Sequence, residues 1–470
     1  MRPSTARIGH VRLAGRWQGL ARRERIARRI LFVVAAGVFL SQWVRVILRP
    51  HGDFALHWNF GARLMAGAYL YRGGMHAPYP PFWAVASAPL TILPMPVMRA
   101  VLYPFGLVPL VALLLLLRGL TKRHFRLEGS RGFWATALAL VLSSRFLIRE
   151  LPDNGTNLTL VALAWGAVFL WVRGRDGLGG ACLGLAIALK CTPALFLAYF
   201  AWKRQWRIVV STVAAAGAFT LSPVLVMGPQ RYAEHMAAWM ARCWRGVGEA
   251  NPMMGVLGDE EVKNVSLRPG LARFLMRVPP SHKGYIAHPW HVDFLDLPPP
   301  VAGTIIKAAL LGLLIGMAWA LRHPIKRRDQ ESVLWECAIV SVLLLLFSPI
   351  TWRQHCVGVI PAFYLIAHAA MARGGLPRWM IRTLAAYVVL VLVLDRGVVG
   401  RELTLLLDSY SVTTWSLLAL LAVALGGRAH AACEETSPPK DHPRDFGNHT
   451  TRHATVSNLR LKCREALPVS

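Results

Sequence analysis

Long apolar runs separated by short arginine-rich segments constrain this chain more than any other feature. Runs near 30–48, 97–118, 301–321 and 411–426 approach or exceed the roughly 18 apolar residues that mark a spanning helix. Of 470 residues, 55% are hydrophobic and only 16% are charged, with a mean hydropathy of +0.42. A soluble enzyme of this size would carry more charge and shorter apolar runs. The formal net charge of +29 is not the footprint of a nucleic-acid partner. Its arginines cluster between the runs, where the positive-inside rule expects them in cytoplasmic loops. The expected fold is therefore all-α: a polytopic, multi-pass protein of the cell membrane, with membrane lipid as its surroundings.

Residues 1–29 read as a basic cytoplasmic arm, lying along anionic lipid. Residues 30–426 form the transmembrane domain, and 427–470, rich in His, Arg, Pro and Thr, form a disordered cytoplasmic tail. The first span, 30–48, carries the chain outward. In the second half, spans near 301–321, 333–350, 357–372, 383–396 and 411–426 alternate across the bilayer. The middle admits two parses. Five full crossings between 82 and 201 satisfy parity but put "RGLTKRHFRLEGSR" and "VRGRDG" outside. The preferred parse keeps both basic loops inside. It makes 82–93 an accessory helix and 179–201 a re-entrant hairpin broken at "LKCTP", lining a polar cavity. About 10–12 transmembrane or re-entrant helices result. The outer loops fall at about 49–81, 150–157, 228–300 and 348–356, so functional-looking polar residues gather on one face.

In the first outer loop, Phe54, Trp58, Leu64 and Met65 recur at helical spacing, so 53–67 reads as an amphipathic interfacial helix. Asp53 sits at its start. It is either an N-cap or a general base at the hydrocarbon edge, taking a proton from a hydroxyl as a lipid-borne leaving group approaches. "SPITWRQHC" supplies Trp352 as a sugar platform, Arg353 as a phosphate clamp and His355 as a proton-handling group. The plainer roles are belt aromatic, snorkelling cation and helix-end stabiliser. Lys190 interrupts "GGACLGLAIALKCTPALFLAYF", where an ionisable group is costly and a phosphate is a natural partner. "DNGTN" offers Asp153, Asn154 and Asn157 to sugar hydroxyls or to a helix cap, and "NVSLR" offers Asn264 and Arg268. Tyr79, within "APYPP", completes the candidate substrate-binding set. Seven cysteines form no CxxC or metal-type spacing, and no DxD pair occurs, so neither a metal nor another cofactor is expected.

Taken in order, "GDFALHWNFGARLMAGAYLY…APYPP", "LPDNGTN", "GLAIALKCTPALFLAYFAWKRQWR", "KNVSLR" and "SPITWRQH" resemble glycosyltransferase family 87 over roughly residues 30–425. These are polyprenol-phosphate-mannose-dependent mannosyltransferases of the GT-C fold. The resemblance implies a GT-C-type helical bundle with an outer-face active site. It implies an inverting transfer of mannose from a polyprenyl-phosphate donor to a glycolipid or polysaccharide acceptor, with Asp53 as base and His355 as the motif histidine. The chain departs from the family at "DNGTN", where Gly-Gln-x-x-Asn is usual, and at Asn-Val-Ser, where Asn-Gln-Ser is common. Both departures bear on the acceptor. The rival reading is a transporter or flippase for lipid-linked sugars. It would want ionisable groups at the midplane and inverted repeats, whereas here the polar residues sit mainly on one outer face and no repeat is visible.

Overall fold

The computed structural model describes residues 6–48, 53–71, 79–127, 129–249, 251–282 and 293–436. Residues 437–470, most of the expected tail, and parts of the first outer loop lie outside the described residues. Helix α1 (Ala6–Leu48) merges the expected arm with the first span, of which Arg22–Leu48 is apolar enough to cross a membrane. Helix α2 (Phe54–Met65) follows, then α3 (Pro81–Ser87), continued by a 3-10 turn as the expected accessory helix. Helices α4 (Met95–Leu102) and α5 (Leu107–Thr121) form one span. Helices α6 (Arg131–Leu142) and α7 (Ser144–Glu150) form a second, bent by 67°.

Helix α8 (Thr156–Val172) leads to α9 (Asp176–Leu189), α10 (Ala194–Trp202) and α11 (Trp206–Leu221). Then come α12 (Val224–Met227), the amphipathic α13 (Pro229–Gly248) and an antiparallel hairpin, Met254–Gly255 with Gly258–Asp259. The remaining helices are α14 (Leu267–Leu275), α15 (Pro299–Ala320), α16 (Glu331–Phe347), α17 (Ile360–Arg373), α18 (Arg378–Tyr387), α19 (Arg396–Ser409) and α20 (Val412–Thr436). Among the described residues six helices are long and apolar enough to span a bilayer, or eight if each bent pair counts as one. The other expected elements are shorter apolar helices.

The break at "LKCTP" has a local cause. Lys190 leaves α9 in an extended conformation, and Pro193, which has no N–H to donate, caps α10. The chain then returns to the level it left. Trp171, at the end of α8, bonds through Nε1 to Gln205 just before α11, while Asp176 at the start of α9 holds Arg328 at 2.5 Å. Residues 176–203 therefore enter and leave at one end of the bundle, as the re-entrant parse requires. Helix α9 then packs parallel to α11 through a GxxxG pair. A Cβ on Gly180 would meet Ser211 and one on Gly184 would meet Ala215 at 2.7 Å, so only glycine permits this approach.

All five basic loops meet at that same end. Arg123 faces Asp329 at 3.8 Å, Lys203 donates to the His323 carbonyl at 2.7 Å, and Arg373 pairs with Glu331 at 3.0 Å. Buried Glu336 takes Lys203 at 2.8 Å and Arg428 at 2.9 Å. The tail boundary expected at Gly427 falls inside α20. The glycine pair 426–427 acts there as a packing site rather than a stop: a Cβ on Gly427 would lie 2.6 Å from Trp335. Arg428 and Glu434, bonded to Glu336 and Arg373, then fasten the extra turns.

Gly184→Val should lower stability by about 1–3 kcal/mol through overpacking against α11, measured by thermal unfolding in detergent. Gly217→Ala, also inside α11 but with nothing within 4 Å of the added carbon, should not lower it and should raise it by up to about 1 kcal/mol.

Candidate active site

Asp53 is the residue before α2, at the N-cap position, yet its side chain makes no capping bond. Two distant segments hold it instead. Its amide donates to Asp153 Oδ1 at 2.9 Å, and its Oδ2 accepts from Gln354 Nε2 at 3.2 Å. Helix α2 is seated by Phe54, His57 and Phe60, which are buried, while Met65 is exposed. The inward stripe is thus rotated from the one that spacing suggested. It turns because Gly61 packs directly on the Ser87 backbone and Trp83 donates to His57 Nδ1 at 3.0 Å. Burial lowers the His57 pKa to about 3, which keeps the ring a neutral acceptor. Tyr79 stacks on Trp83 at 4.4 Å, and its carbonyl accepts from Tyr71.

Lys190 reaches the same place from the break between α9 and α10. Its Nζ lies 3.3 Å from Asn157 Oδ1 and 3.4 Å from His355 Nε2. The other ring nitrogen, Nδ1, lies 3.2 Å from both the Trp352 amide and the Ile350 carbonyl, so the ring is anchored at both nitrogens. Asn157 is oriented in turn by Glu150, which accepts from its Nδ2 at 2.8 Å and from the amides of Asn157 and Leu158. A fully buried carboxylate thus caps α8 and sets the acceptor for Lys190.

These groups border a cavity of about 500 Å³ lined by Asp53, Tyr79, Lys190, Trp352 and His355. The rest of its wall is mostly apolar, with Leu195, Trp239, Leu344 and Phe347. Val256 and Leu257, at the tip of the small hairpin, close one side. The Trp352 and His355 rings are nearly parallel, 11° apart. The cavity lies at the end of the bundle away from the basic loops. Asn157 and Trp171 are separated along α8 by about 21 Å at 1.5 Å per residue. Asp53 is outside the spans, and burial pushes its carboxyl above the usual range, opposed by the Gln354 bond and the Lys190 charge.

Of the sequence-derived candidates, Asp53, Tyr79, Lys190, Trp352 and His355 line this cavity, and Asn157 supports it from a narrow extension between α8 and α16. Three of the others are engaged elsewhere. Arg353 pairs with Asp408 and lines neither space, because the 3-10 turn 353–359 points successive side chains in different directions. Asn264 is 1% exposed and has all four hydrogen-bonding capacities filled, by Glu260, Ser266, Pro349 and Thr351. It clamps the 348–351 segment. Arg268 spends its guanidinium on the carbonyls of Glu249, Asn251 and Met254. Asn154 forms a left-handed turn with Gly155, whose Cα approaches the Gly106 backbone, and the Asn154 side chain is absent from the cavity wall. Glu150 and Gln354 were not singled out from sequence, though Gln354 lies inside "SPITWRQH" and Glu150 directly precedes "LPDNGTN". Asp153 was seen as a sugar or cap residue, and its observed role is to hold Asp53. Among the described residues no group of three or more His, Cys, Asp or Glu side chains is placed to hold a metal ion.

The sequence model of glycosyltransferase family 87 matches residues 77–349, more than half of the chain, leaving Asp53 and His355 just outside the match. Over 379 residues the chain is 25% identical to a polyprenol-phosphate-mannose-dependent alpha-(1-2)-phosphatidylinositol mannoside mannosyltransferase of Mycobacterium tuberculosis, covering 74% of this chain and 79% of that protein. It is 27% identical over 337 residues to the protein of the same description in Mycolicibacterium smegmatis, covering 67% and 68%. A phosphatidylinositol pentamannoside mannosyltransferase of M. smegmatis is 28% identical over 296 residues, covering 63% and 62%. No solved structure matches.

The geometry separates two carboxylates by role. Glu150→Ala strips the first turn of α8 of its acceptors and should cost about 1–3 kcal/mol in thermal unfolding. Asp53→Asn removes no capping bond and should stay within about 0.5 kcal/mol of the parent.

Proposed function

Because the chain belongs to glycosyltransferase family 87, we propose that it moves a mannosyl group from polyprenyl-phosphate-mannose to a hydroxyl of a glycolipid or polysaccharide acceptor. The names of the relatives support the donor, and their phosphatidylinositol mannoside acceptors favour the glycolipid class. One observation carries the reading of the site. Asp53, excused from helix capping, presents its carboxylate to an apolar-walled cavity that also contains the Lys190–His355 pair.

In this mechanism an acceptor hydroxyl gives its proton to Asp53 as its oxygen attacks the anomeric carbon. The bond from that carbon to the phosphate oxygen breaks, and polyprenyl phosphate departs with the electron pair. Lys190, held by Asn157 and His355, stabilises the charge on the departing phosphate. Trp352 and Tyr79 offer aromatic faces to the sugar, and the apolar wall suits the first isoprene units. A base and a cation bordering one cavity suit an in-line displacement that inverts the anomeric configuration. The basic loops lie at the far end of the bundle, so the positive-inside rule gives the site an extracytoplasmic face. Family membership displaces the transporter reading.

Asp53→Asn should fold normally and lose turnover by about a hundredfold or more, the usual scale for removing a general base. His355→Ala should fall less, since the histidine acts beside Lys190. Wild-type turnover in well-folded Asp53→Asn protein would take Asp53 out of the mechanism.

The pH profile gives an independent reading. A base must be ionised, and burial raises the Asp53 pKa, so turnover is full above that pKa and is lost as pH falls through it. The acid limb should therefore lie above the ~3.9 of a free aspartate. A limb at or below that value would assign the base to another group.

A further inference from the structure

A second cavity, of about 790 Å³, lies behind the wall that carries Asp53. Four guanidinium groups line it: Arg45 from the outer end of α1, Arg99 from α4, and Arg145 and Arg149 from α7. Its inner wall contains Gln354 and Asp153, the two side chains that hold Asp53. The two spaces are therefore neighbours across a partition whose centre is the Asp53 carboxylate.

The charges in the second space do not balance. Against four arginines stand two acids on the lining, Asp153 and Asp395. Arg145 is committed, to Asp395 at 2.8 Å and to the Val391 carbonyl at 2.6 Å. Arg99 donates to the Pro152 carbonyl at 3.3 Å. Arg45 and Arg149 form no hydrogen bond or ion pair among the described residues, yet they border one concave space. Guanidinium groups present a planar fork that fits phosphate oxygens, and an anion here would offset their mutual repulsion. The lipid-accessible flank of the cavity is α1, whose Val44, Ile47 and Leu48 are exposed and apolar. Acyl or prenyl chains suit that flank while a headgroup enters the arginine-lined space.

We propose that this cavity binds the phosphate group of a membrane lipid and so delivers a lipid substrate beside Asp53. The delivery role rests on the glycosyl-transfer reading; the binding does not. Two lipids carry this chemistry, but the donor's polyprenyl phosphate is already placed beside Lys190 in the first cavity, so the occupant here is an anionic glycerophospholipid acting as acceptor.

The test uses full-length protein in phosphatidylcholine nanodiscs, titrated with fluorescent phosphatidylinositol and, separately, with fluorescent undecaprenyl phosphate. The variant is Arg45→Gln/Arg149→Gln, chosen because both side chains are exposed and make no bond that the fold needs. A thermal unfolding curve checks its fold, and the single variants stand in if the double variant melts early. Affinity for phosphatidylinositol should fall about tenfold or more while that for undecaprenyl phosphate is kept, and a fall confined to undecaprenyl phosphate overturns the proposal. Unchanged affinity for both lipids, or no saturable binding of either to the parent, overturns the proposal. Complete displacement by inorganic phosphate alone would make this a free-phosphate site and would also overturn it. Binding is read without transfer, so failure here leaves the Asp53 mechanism standing, and failure of that mechanism leaves this measurement intact.

Discussion

A lysine enclosed by apolar helices must be given partners or it destabilises everything around it. Lys190 is that residue, and much of the end of the bundle away from the basic loops is arranged to hold it. Its position follows from Pro193, which ends one helix and starts another, turning 176–203 back on itself. Its ammonium is held by Asn157 and His355, and Asn157 is held by the buried Glu150 at the head of α8. Asp53, which also borders the cavity, adds the nearby negative charge. Glu150, by contrast, is sealed from the cavity and caps a helix. One acid therefore supports the fold and the other is left available for chemistry.

That division explains why the arrangement suits transfer from a lipid phosphate. A phosphate leaving group already carries its charge well, so a fixed cation and a water-poor wall are enough for stabilisation. The proposed base is positioned by hydrogen bonds from two loops rather than by its own helix, which leaves its carboxylate free of capping duty. The arginine-lined space on the other side of the partition borders Gln354 and Asp153, the side chains that hold the proposed base.

How much of this was legible in the sequence depended on range. The apolar runs, the basic loops and the break at Lys190–Pro193 are local patterns, and the structure reproduces them. Asp53, Tyr79, Lys190, Trp352 and His355 converge because each interrupts or borders an apolar run on the same side. What could not be read was direction and long-range pairing. Arg353, Gln354 and His355 are consecutive, yet they face Asp408, Asp53 and Lys190 respectively. Asn264 resembled a ligand-binding amide until Glu260 and the 349–351 backbone filled its capacity. The tail boundary set at Gly427 fell inside a helix because the packing of that glycine on Trp335, distant in sequence, was invisible to a local reading.

The central claim is that the sugar arrives on a lipid phosphate. It is tested most directly by giving purified protein radiolabelled polyprenyl-phosphate-mannose or radiolabelled GDP-mannose, with extracted membrane glycolipids and polysaccharide as acceptors and no lipid-phosphate-mannose synthase present. The account predicts label in an acceptor from the lipid-linked donor alone. Label passing directly from GDP-mannose, with none from the lipid-linked sugar, would contradict it.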